Sequence, residues 1–531
     1  KLEWTAKERL LAAQFRYDRV QHDEVIETVA PLLEQARTHP PQDATQLGNH
    51  CQALWLTAMT YRRSKRSPRA VPFYEEMLQS CAEHGDYGQR ARFGLAQAAL
   101  RNDDKQRARE ELEAILTRWP KGRYADDAVT ELIRLDLADG AYEKALNRAE
   151  AIIDGTLSGD LAGEALWLLA QEERAFANFD TDTASASQVT RQRRWVERAR
   201  ASQSDDPSYF SQGRLDYFAA YLARDDAKTA AEAARDAIEA APFSFYACAS
   251  AALLSTLDRE EAAVTEALSI WQAQIAGLRS EPAVEQRFLV EDSPLARAGL
   301  RWALLGHTAR AAEWLAPLSE DQDSVAWLVA YSLHLEGRFA RSHDLARREL
   351  REWQRVADPA HRFYWQIAYP QAYPELVAHY ASALDLPEAL ILAIMREESA
   401  FQARVESFAH AIGLMQLLAS TGIDHAERDL GWTIDAQDLR EPQVNIAVGA
   451  AFLAHLRKRL HTHPSVVAAG YNAGRGAVGR WLKDEPEALA TFVERIPYTE
   501  TRDYSKRVSA SYMVYQVLYG SSDVELFELE I

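Results

Sequence analysis

Cysteine is scarce: three in 531 residues are too few for a disulfide scaffold, and the odd count leaves at least one of Cys51, Cys81 and Cys248 unpaired within the chain. Cys81 and Cys248 stand in helix-like sequence, so buried structural thiols are the expectation. Long apolar runs are missing as well. The densest, Ala389 to Met395, has seven residues, against the ~18 that a membrane-spanning helix needs. Positive charge is in deficit. The chain has 60 Lys and Arg against 79 Asp and Glu, a net charge of −19. Such an acidic surface repels phosphate backbones and argues against a nucleic-acid partner. There is no Met at position 1 and no charged, apolar leader, which fits a processed chain whose export signal was removed, or a trimmed one. Glycine and proline are sparse up to about residue 360, and strand-like alternation is lacking there, which excludes a sheet architecture for that part.

What is present is an ordinary globular composition, 47% hydrophobic and 26% charged, and this excludes a disordered chain. The length predicts about three domains, or one repeat array plus a domain. An internal repeat favours the second arrangement. Shifted by 37 residues, Ala91, Leu95, Leu100, Ala108, Glu113, Ala114 and Ile115 meet Ala128, Leu132, Leu137, Ala145, Glu150, Ala151 and Ile152. Polar turns fall at matching places, Asn102-Asp103-Asp104 and Asp139-Gly140. A weaker pair at a 31-residue offset sets Gly306, Ala309 and Arg310 against Gly337, Ala340 and Arg341. The spacing suits a helix-turn-helix unit of roughly the tetratricopeptide length of 34, stacked into a solenoid. Such an array is a binding surface, a scaffold, or both.

The segment 351–374 changes character, with Phe363, Tyr364, Trp365, Tyr369, Pro370, Tyr373 and Pro374, and reads as a packed linker. Residues 1–360, with the linker from about 351, are therefore predicted to form a helical superhelical repeat domain, and residues 365–531 a second, compact domain.

Four features in the last 160 residues carry chemistry. A helix from Pro387 to Glu398, with Asp385 placed to cap it, is apolar all round from Leu390 to Met395 and therefore central. It delivers Arg396-Glu397-Glu398-Ser399. A carboxylate at the end of a buried helix has its pKa raised, as a general acid working near neutrality requires, or else is paired with Arg396 or Arg404. Next come Ser407 and Gly413-Leu414-Met415-Gln416, whose glycine permits close backbone approach and whose amide suits a sugar hydroxyl or N-acetyl group. Tyr471-Asn472-Ala473-Gly474 follows, as a cleft-lining loop or a capping turn. Last are Ile496-Pro497-Tyr498, Glu500-Thr501-Arg502 and Tyr504, leading into a final helix.

In this order and spacing, Tyr369 to about Gly520 resembles the catalytic domain of the soluble lytic transglycosylases. The matches are Glu398-Ser399-Ala400-Phe401, Ser407, Gly413 to Gln416, Asn445-Ile446 with Gly449, Tyr471 to Gly474, and Glu500-Thr501-Arg502 with Tyr504. The helical first part is similar in architecture to that family's N-terminal α-superhelix. The resemblance implies a mainly all-α protein with a goose-lysozyme-like catalytic domain. It implies non-hydrolytic cleavage of the β-1,4 bond between N-acetylmuramic acid and N-acetylglucosamine in peptidoglycan, leaving 1,6-anhydro ends. It assigns Glu398 as the catalytic acid/base, and Ser407, Met415, Gln416, Tyr471, Asn472, Glu500 and Tyr504 as substrate-binding residues. Glu397, about 100° away round the helix, is expected to be dispensable. The resemblance implies a periplasmic monomer without cofactor or metal, acting on peptidoglycan strands, with other cell-wall enzymes as candidate partners of the superhelix.

The sequence also departs from the family pattern. Where the family usually has Ser-Pro-Val-Gly-Ala, this chain has Ser407-Phe408-Ala409-His410-Ala411. Leu418-Ala419 replaces Met-Pro, and Arg475 stands where proline is common. His410 is read as a surface or packed residue before a substrate contact. His455, His461 and His463 lack the spacing and partners of a metal site. Two alternatives remain open. One is a hydrolytic muramidase, which needs a second carboxylate, with Asp424, Asp429 or Asp435 as candidates. The other is a non-catalytic glycan-binding repeat scaffold.

Overall fold

Abundant Ala, Leu, Glu and Arg with little glycine favour helix, and the computed structural model is helical through most of its described residues. It describes residues 4–18, 22–64, 66–153, 212–280, 294–305, 307–318, 323–348, 362–407, 410–482, 488–520 and 526–531, with single positions between 193 and 201 and at 357 and 524. Two compact units divide the chain, Lys1–Asp205 and Asp206–Ile531.

The first unit holds α1 (Ala6–Asp18), α2 (His22–Thr38), α3 (Ala44–Arg63), α4 (Val71–Ser80), α5 (Tyr87–Arg101), α6 (Lys105–Arg118), α7 (Ala125–Ala138) and α8 (Tyr142–Ile153). The 37-residue repeat is visible as α5–α6 followed by α7–α8. Ala108 and Ala145 are both fully buried, as close helix pairing requires. The turns match too, with left-handed backbone at Asp103 (φ 58°) and Gly140 (φ 71°). The buried carboxylate of Asp136 ties successive repeats together through Arg109 of α6 (2.5 Å) and Arg148 of α8 (2.7 Å). The expectation of buried thiols holds for Cys248 only. Cys51 and Cys81, their Cα atoms 5.8 Å apart, form a disulfide that pins α3 to the residue following α4. Helical context concealed this pair, because the contact is made by α3 packing on α4 and not by local spacing.

The second unit begins with α9 (Arg214–Leu222), α10 (Ala227–Ala240), α11 (Phe245–Thr256), α12 (Ala262–Arg279), α13 (Pro294–Leu304), α14 (Thr308–Leu315), α15 (Asp323–Leu335) and α16 (Phe339–Arg348). The weaker repeat is α13–α14 against α15–α16. Ala309 and Ala340 take the second position of α14 and α16, while Gly306 lies outside the described residues. Then follow α17 (Arg362–Ala368), α18 (Pro374–Leu384), α19 (Glu388–Ser399), strands β1 (Ala411–Ile412) and β2 (Leu417–Leu418), α20 (Ala419–His425), α21 (Pro442–Arg459), α22 (Pro464–Ala473), α23 (Arg475–Trp481), α24 (Leu489–Arg495) and α25 (Thr499–Tyr519). The strands pair antiparallel, Ala411 opposite Leu418 and Ile412 opposite Leu417.

Of the segment 351–374 read as a packed linker, residues 351–356 and 358–361 lie outside the described residues, and the aromatic part from 362 is packed. Trp365 is fully buried, with its ring 5.8 Å from Phe243 and 5.8 Å from Tyr369. However, no boundary between compact units falls there. Helices α11 and α12 pack directly on α25, and the unit that contains the site reaches back to Asp206.

Candidate active site

The site is built around α19. Leu390 to Met395 are at most 2% exposed, so this helix runs through the core against α25, α18 and α21. Asp385 does not cap it. That residue takes a left-handed conformation (φ 52°) and closes α18, its N–H donating to the Ala381 carbonyl, and Pro387 occupies the position before the first turn of α19. At the other end, Ala400 (φ 47°) and Phe401 (φ 62°) are both left-handed without being glycine. Such a pair carries strain and turns the chain sharply just after Glu398.

Burial pushes the Glu398 carboxyl up to about 7, and the ionised neighbour Glu397 pushes the same way. The hydroxyl of Tyr504 and the charge of Arg507 pull it down, and Glu500 adds a small upward push. The Tyr504 hydroxyl donates to Glu398 Oε1 at 2.6 Å. Tyr504 itself is 3% exposed and its own pKa lies far above the usual phenol value through burial and the nearby carboxylate. The arginine pairing weighed for Glu398 is made instead by Glu397, which bonds Arg396, while Arg404 reaches Glu441 at 4.0 Å.

The second wall is a tight turn locked from behind. Gly413 sits at φ 79°, and a Cβ there would lie 2.4 Å from Asn445 Nδ2. Asn445, fully buried, donates to the carbonyls of Ile412 (2.9 Å) and Leu439 (2.7 Å) and accepts from the Met415 N–H (2.8 Å). Gly449 makes room for the Met415 sulfur, since a Cβ there would approach it to 2.2 Å. Met415 is thus a core side chain, at 0% exposure, and departs from the expectation that it lines a sugar subsite. Its contribution to the site is its carbonyl, which accepts from the Tyr471 hydroxyl at 2.7 Å. Tyr471 in turn lies against Phe452, with ring centroids 4.9 Å apart.

Other expected contacts fall as follows. Gln416, half-buried and left-handed (φ 49°), uses its amide NH₂ on the carbonyls of Gly413 (2.9 Å) and Val405 (3.2 Å), which directs its carbonyl oxygen to any ligand role. The Ser407 hydroxyl oxygen accepts from the Ala411 N–H at 3.0 Å and so closes its own turn. Asn472 is exposed and accepts from Thr501 at 2.5 Å, joining the α22 end to the start of α25. Glu500 is exposed on the first turn of α25. His410 is an exposed residue paired with Glu406 at 2.8 Å. His463 is buried and caps α22 through Ser465 N–H, and His461 accepts from the His463 N–H.

Two groups are more deeply embedded than the sequence reading gave them. Glu397, expected there to be dispensable, has its side chain 3% exposed among Arg396, Arg507 and Ser511. Lys506 and Glu494 form a buried pair, each side chain 2% exposed, joined by the Tyr246 hydroxyl from α11. Nothing local marked the second, because Lys506 shares its helical face with Arg502, Asp503 and Ser509, and the Tyr246 hydroxyl that completes the pair lies 248 residues from Glu494 in sequence. The candidate aspartates for a water-activating base are otherwise engaged. Asp424 pairs with Arg428 (2.8 Å), Asp429 with His425 (2.6 Å) and Arg428 (3.1 Å), and Asp435 accepts the N–H groups of Gln437 and Asp438.

Residues 375–491 match the family model of the Transglycosylase SLT domain. The chain is 37% identical over 169 residues to a Haemophilus influenzae relative, covering 32% of this chain and 28% of that protein. It is 33% identical over 156 residues to the soluble lytic murein transglycosylase of Escherichia coli K12, covering 29% of this chain and 24% of that protein. The alignments thus span about a quarter of the length of these relatives. Among solved structures, an inactive mutant of the lytic transglycosylase Slt from Pseudomonas aeruginosa shares the fold over 98% of this chain and 82% of its own, at 19% identity and a TM-score of 0.50.

Proposed function

Because the C-terminal part of this chain is an SLT domain of the soluble lytic transglycosylase family, we propose that the protein cleaves the β-1,4 bond between N-acetylmuramic acid and N-acetylglucosamine in peptidoglycan without adding water. The observation that carries this reading is the pairing of one half-buried carboxyl, Glu398, pushed up to about 7 by desolvation, with the Tyr504 hydroxyl, while Asp424, Asp429 and Asp435 are committed to ion pairs and turn caps. An inverting or retaining hydrolase of the usual kind needs two working carboxylates, and a single one suits a reaction whose nucleophile belongs to the substrate.

Protonated Glu398 donates to the glycosidic oxygen as the C1–O bond breaks, with charge developing on C1. The resulting carboxylate then takes the proton of the muramic C6 hydroxyl, whose oxygen closes on C1. One C–O bond is lost and one is formed, and the proton moves from the C6 oxygen to the released C4 oxygen through Glu398. The tethered hydroxyl competes with ~55 M water at an effective molarity of ~10⁵ M or more. The Gln416 carbonyl and the Ser407 hydroxyl proton are left to orient the N-acetyl group.

Peptidoglycan glycan strands are the substrate, the periplasm is the compartment because the substrate lies outside the cytoplasm, and the protein works as a monomer. The helical repeats supply a surface for other cell-wall enzymes. Digesting purified cell wall and weighing the muropeptides tests the reaction. Products lighter by one water than muramidase products, and resistant to borohydride, are expected. Mainly reducible muramic ends would make the protein a hydrolase.

A further inference from the structure

We propose that Glu397 is a positioning residue for this reaction: it clamps Arg507 and Ser511 of α25 so that Tyr504 meets Glu398, and it holds a negative charge beside the acid. The inference rests on the reading of Glu398 as the acid/base.

The geometry is a double grip. Tyr504, Arg507 and Ser511 are spaced i, i+3, i+7 and so form one stripe of α25. The last turn of α19 faces that stripe. Glu398 takes the Tyr504 hydroxyl at 2.6 Å, and Glu397 takes the Ser511 hydroxyl at 2.8 Å on Oε1 and the Arg507 Nε at 3.2 Å on Oε2. Behind Glu397, Arg396 bonds the same carboxylate, lies 3.9 Å from the Tyr369 ring centroid, and donates to the Ala368 carbonyl (3.1 Å) and Ser511 (3.1 Å). Glu397, Arg396 and Ser511 therefore each have more than one anchor. Two helices that need only adhere would do so through apolar packing, and a buried charge network is a costly substitute whose attested use is to fix register. Here the register fixed is that of Tyr504 against Glu398.

The charge acts as well. Burial pushes Glu397 up, but Arg396 and Arg507 outweigh it and hold the carboxyl down at about 2, so Glu397 is ionised across the working range. The other groups facing the pair are Arg347 and His343 from α16, Tyr369, Tyr515 and Glu500, with Tyr471 beside Glu398. Burial keeps His343 neutral, at about 3, and pushes Tyr369 and Tyr515 up, so neither the histidine nor these tyrosines titrate between pH 5 and 8. Removing the Glu397 charge takes away a repulsion that favours protonated Glu398 and leaves the Arg507 charge to favour the ionised form.

The test is Glu397→Gln in the full chain, measured as kcat, KM and pH profile on short glycan fragments. The expected result is a fall in kcat of about tenfold or more with KM within about twofold, and an alkaline limb moved to lower pH by about one unit. Glu397→Asp restores the charge without the reach, and should return the limb to its wild-type position while kcat stays reduced. Ser511→Ala, which keeps the charge and removes one contact, should lower kcat with the limb unmoved, and it remains readable if the Gln variant does not fold. Wild-type kcat in both Asp and Ala variants would overturn the clamp. A Gln variant whose kcat falls with no movement of the limb would overturn the charge role and leave a structural residue. The mass of the wild-type product tests the reaction separately, because these ratios are read against wild type whichever end is formed.

Discussion

At the scale of single residues, two adjacent glutamates on one helical turn have opposite fates. Glu397 is surrounded by guanidinium groups and is held ionised. Glu398 is half-buried against a phenol and is held protonated to about 7. The sequence foretold the second and not the first. A carboxylate at the end of an apolar helix is legible from the run Leu390 to Met395. Which of two neighbours faces α25 through guanidiniums depends on the helical register and on a partner more than a hundred residues away. The folded pKa of Glu398 is raised, so from about 4.3 up to about 7 the unfolded chain releases a proton that the native chain keeps, and stability falls with pH across that window. Glu398→Gln removes this burden while keeping the shape. It is expected to lower cleavage by ~10²–10⁴-fold or more. It should also raise the melting temperature by a few degrees at pH 7–8 and hardly at pH 4. Glycan binding, followed by retention on insoluble cell wall, should persist. Equal melting temperatures of variant and wild type at both pH values would argue that Glu398 is not held protonated.

At the scale of elements, α25 is the part on which the site depends. The stretch from Thr501 to Ser511 brings Thr501 to Asn472, Tyr504 to Glu398, Lys506 to Glu494, and Arg507 and Ser511 to Glu397. The motif Glu500-Thr501-Arg502 with Tyr504 was visible in the sequence as a resemblance. Its physical content, a helix reporting to several neighbours at once, needed coordinates. The same holds for Gly413 and Gly449. Their presence was legible, but the reasons are Asn445 and the Met415 sulfur, neither adjacent in sequence. Tyr504→Phe gives an element-level prediction with a sign opposite to that for Glu397. The hydroxyl stabilises ionised Glu398, so its loss should move the alkaline limb of kcat/KM to higher pH. The rate should fall by about tenfold as orientation is lost. The product should remain the same. A limb that shifts downward in this variant would mean that the hydroxyl bonds the protonated form instead.

At the scale of the molecule, the unit that holds the site starts far upstream of the motifs. Composition changes near residue 351, and that change suggests a cut at 365. Packing does not follow composition. Tyr246 of α11 places its hydroxyl on Glu494 and its ring 5.3 Å from Lys506 Nζ, and Arg214 of α9 reaches the same carboxylate at 3.9 Å. Arg279, the last residue of α12, donates to the Val517 carbonyl in the last turns of α25 at 3.2 Å. Phe243 packs on Trp365 and Phe245 on Phe527. A fragment 365–531 would expose Lys506 and Glu494 and lose these buried rings, each worth on the order of 3–5 kcal/mol by comparison with Phe→Ala changes. Native domains have only ~5–15 kcal/mol in hand. The fragment 206–531 is therefore expected to unfold cooperatively and to retain, within about twofold, the full chain's activity on short glycan fragments, since none of the named site residues is removed. The fragment 365–531 should melt far lower or fail to fold, and Tyr246→Phe in the full chain should show a smaller loss in the same direction. Thermal unfolding of both fragments and the variant, followed by circular dichroism, checks this. If 365–531 melts as high and cleaves as fast as 206–531, helices α9 to α12 are passengers and the boundary suggested by composition is the physical one.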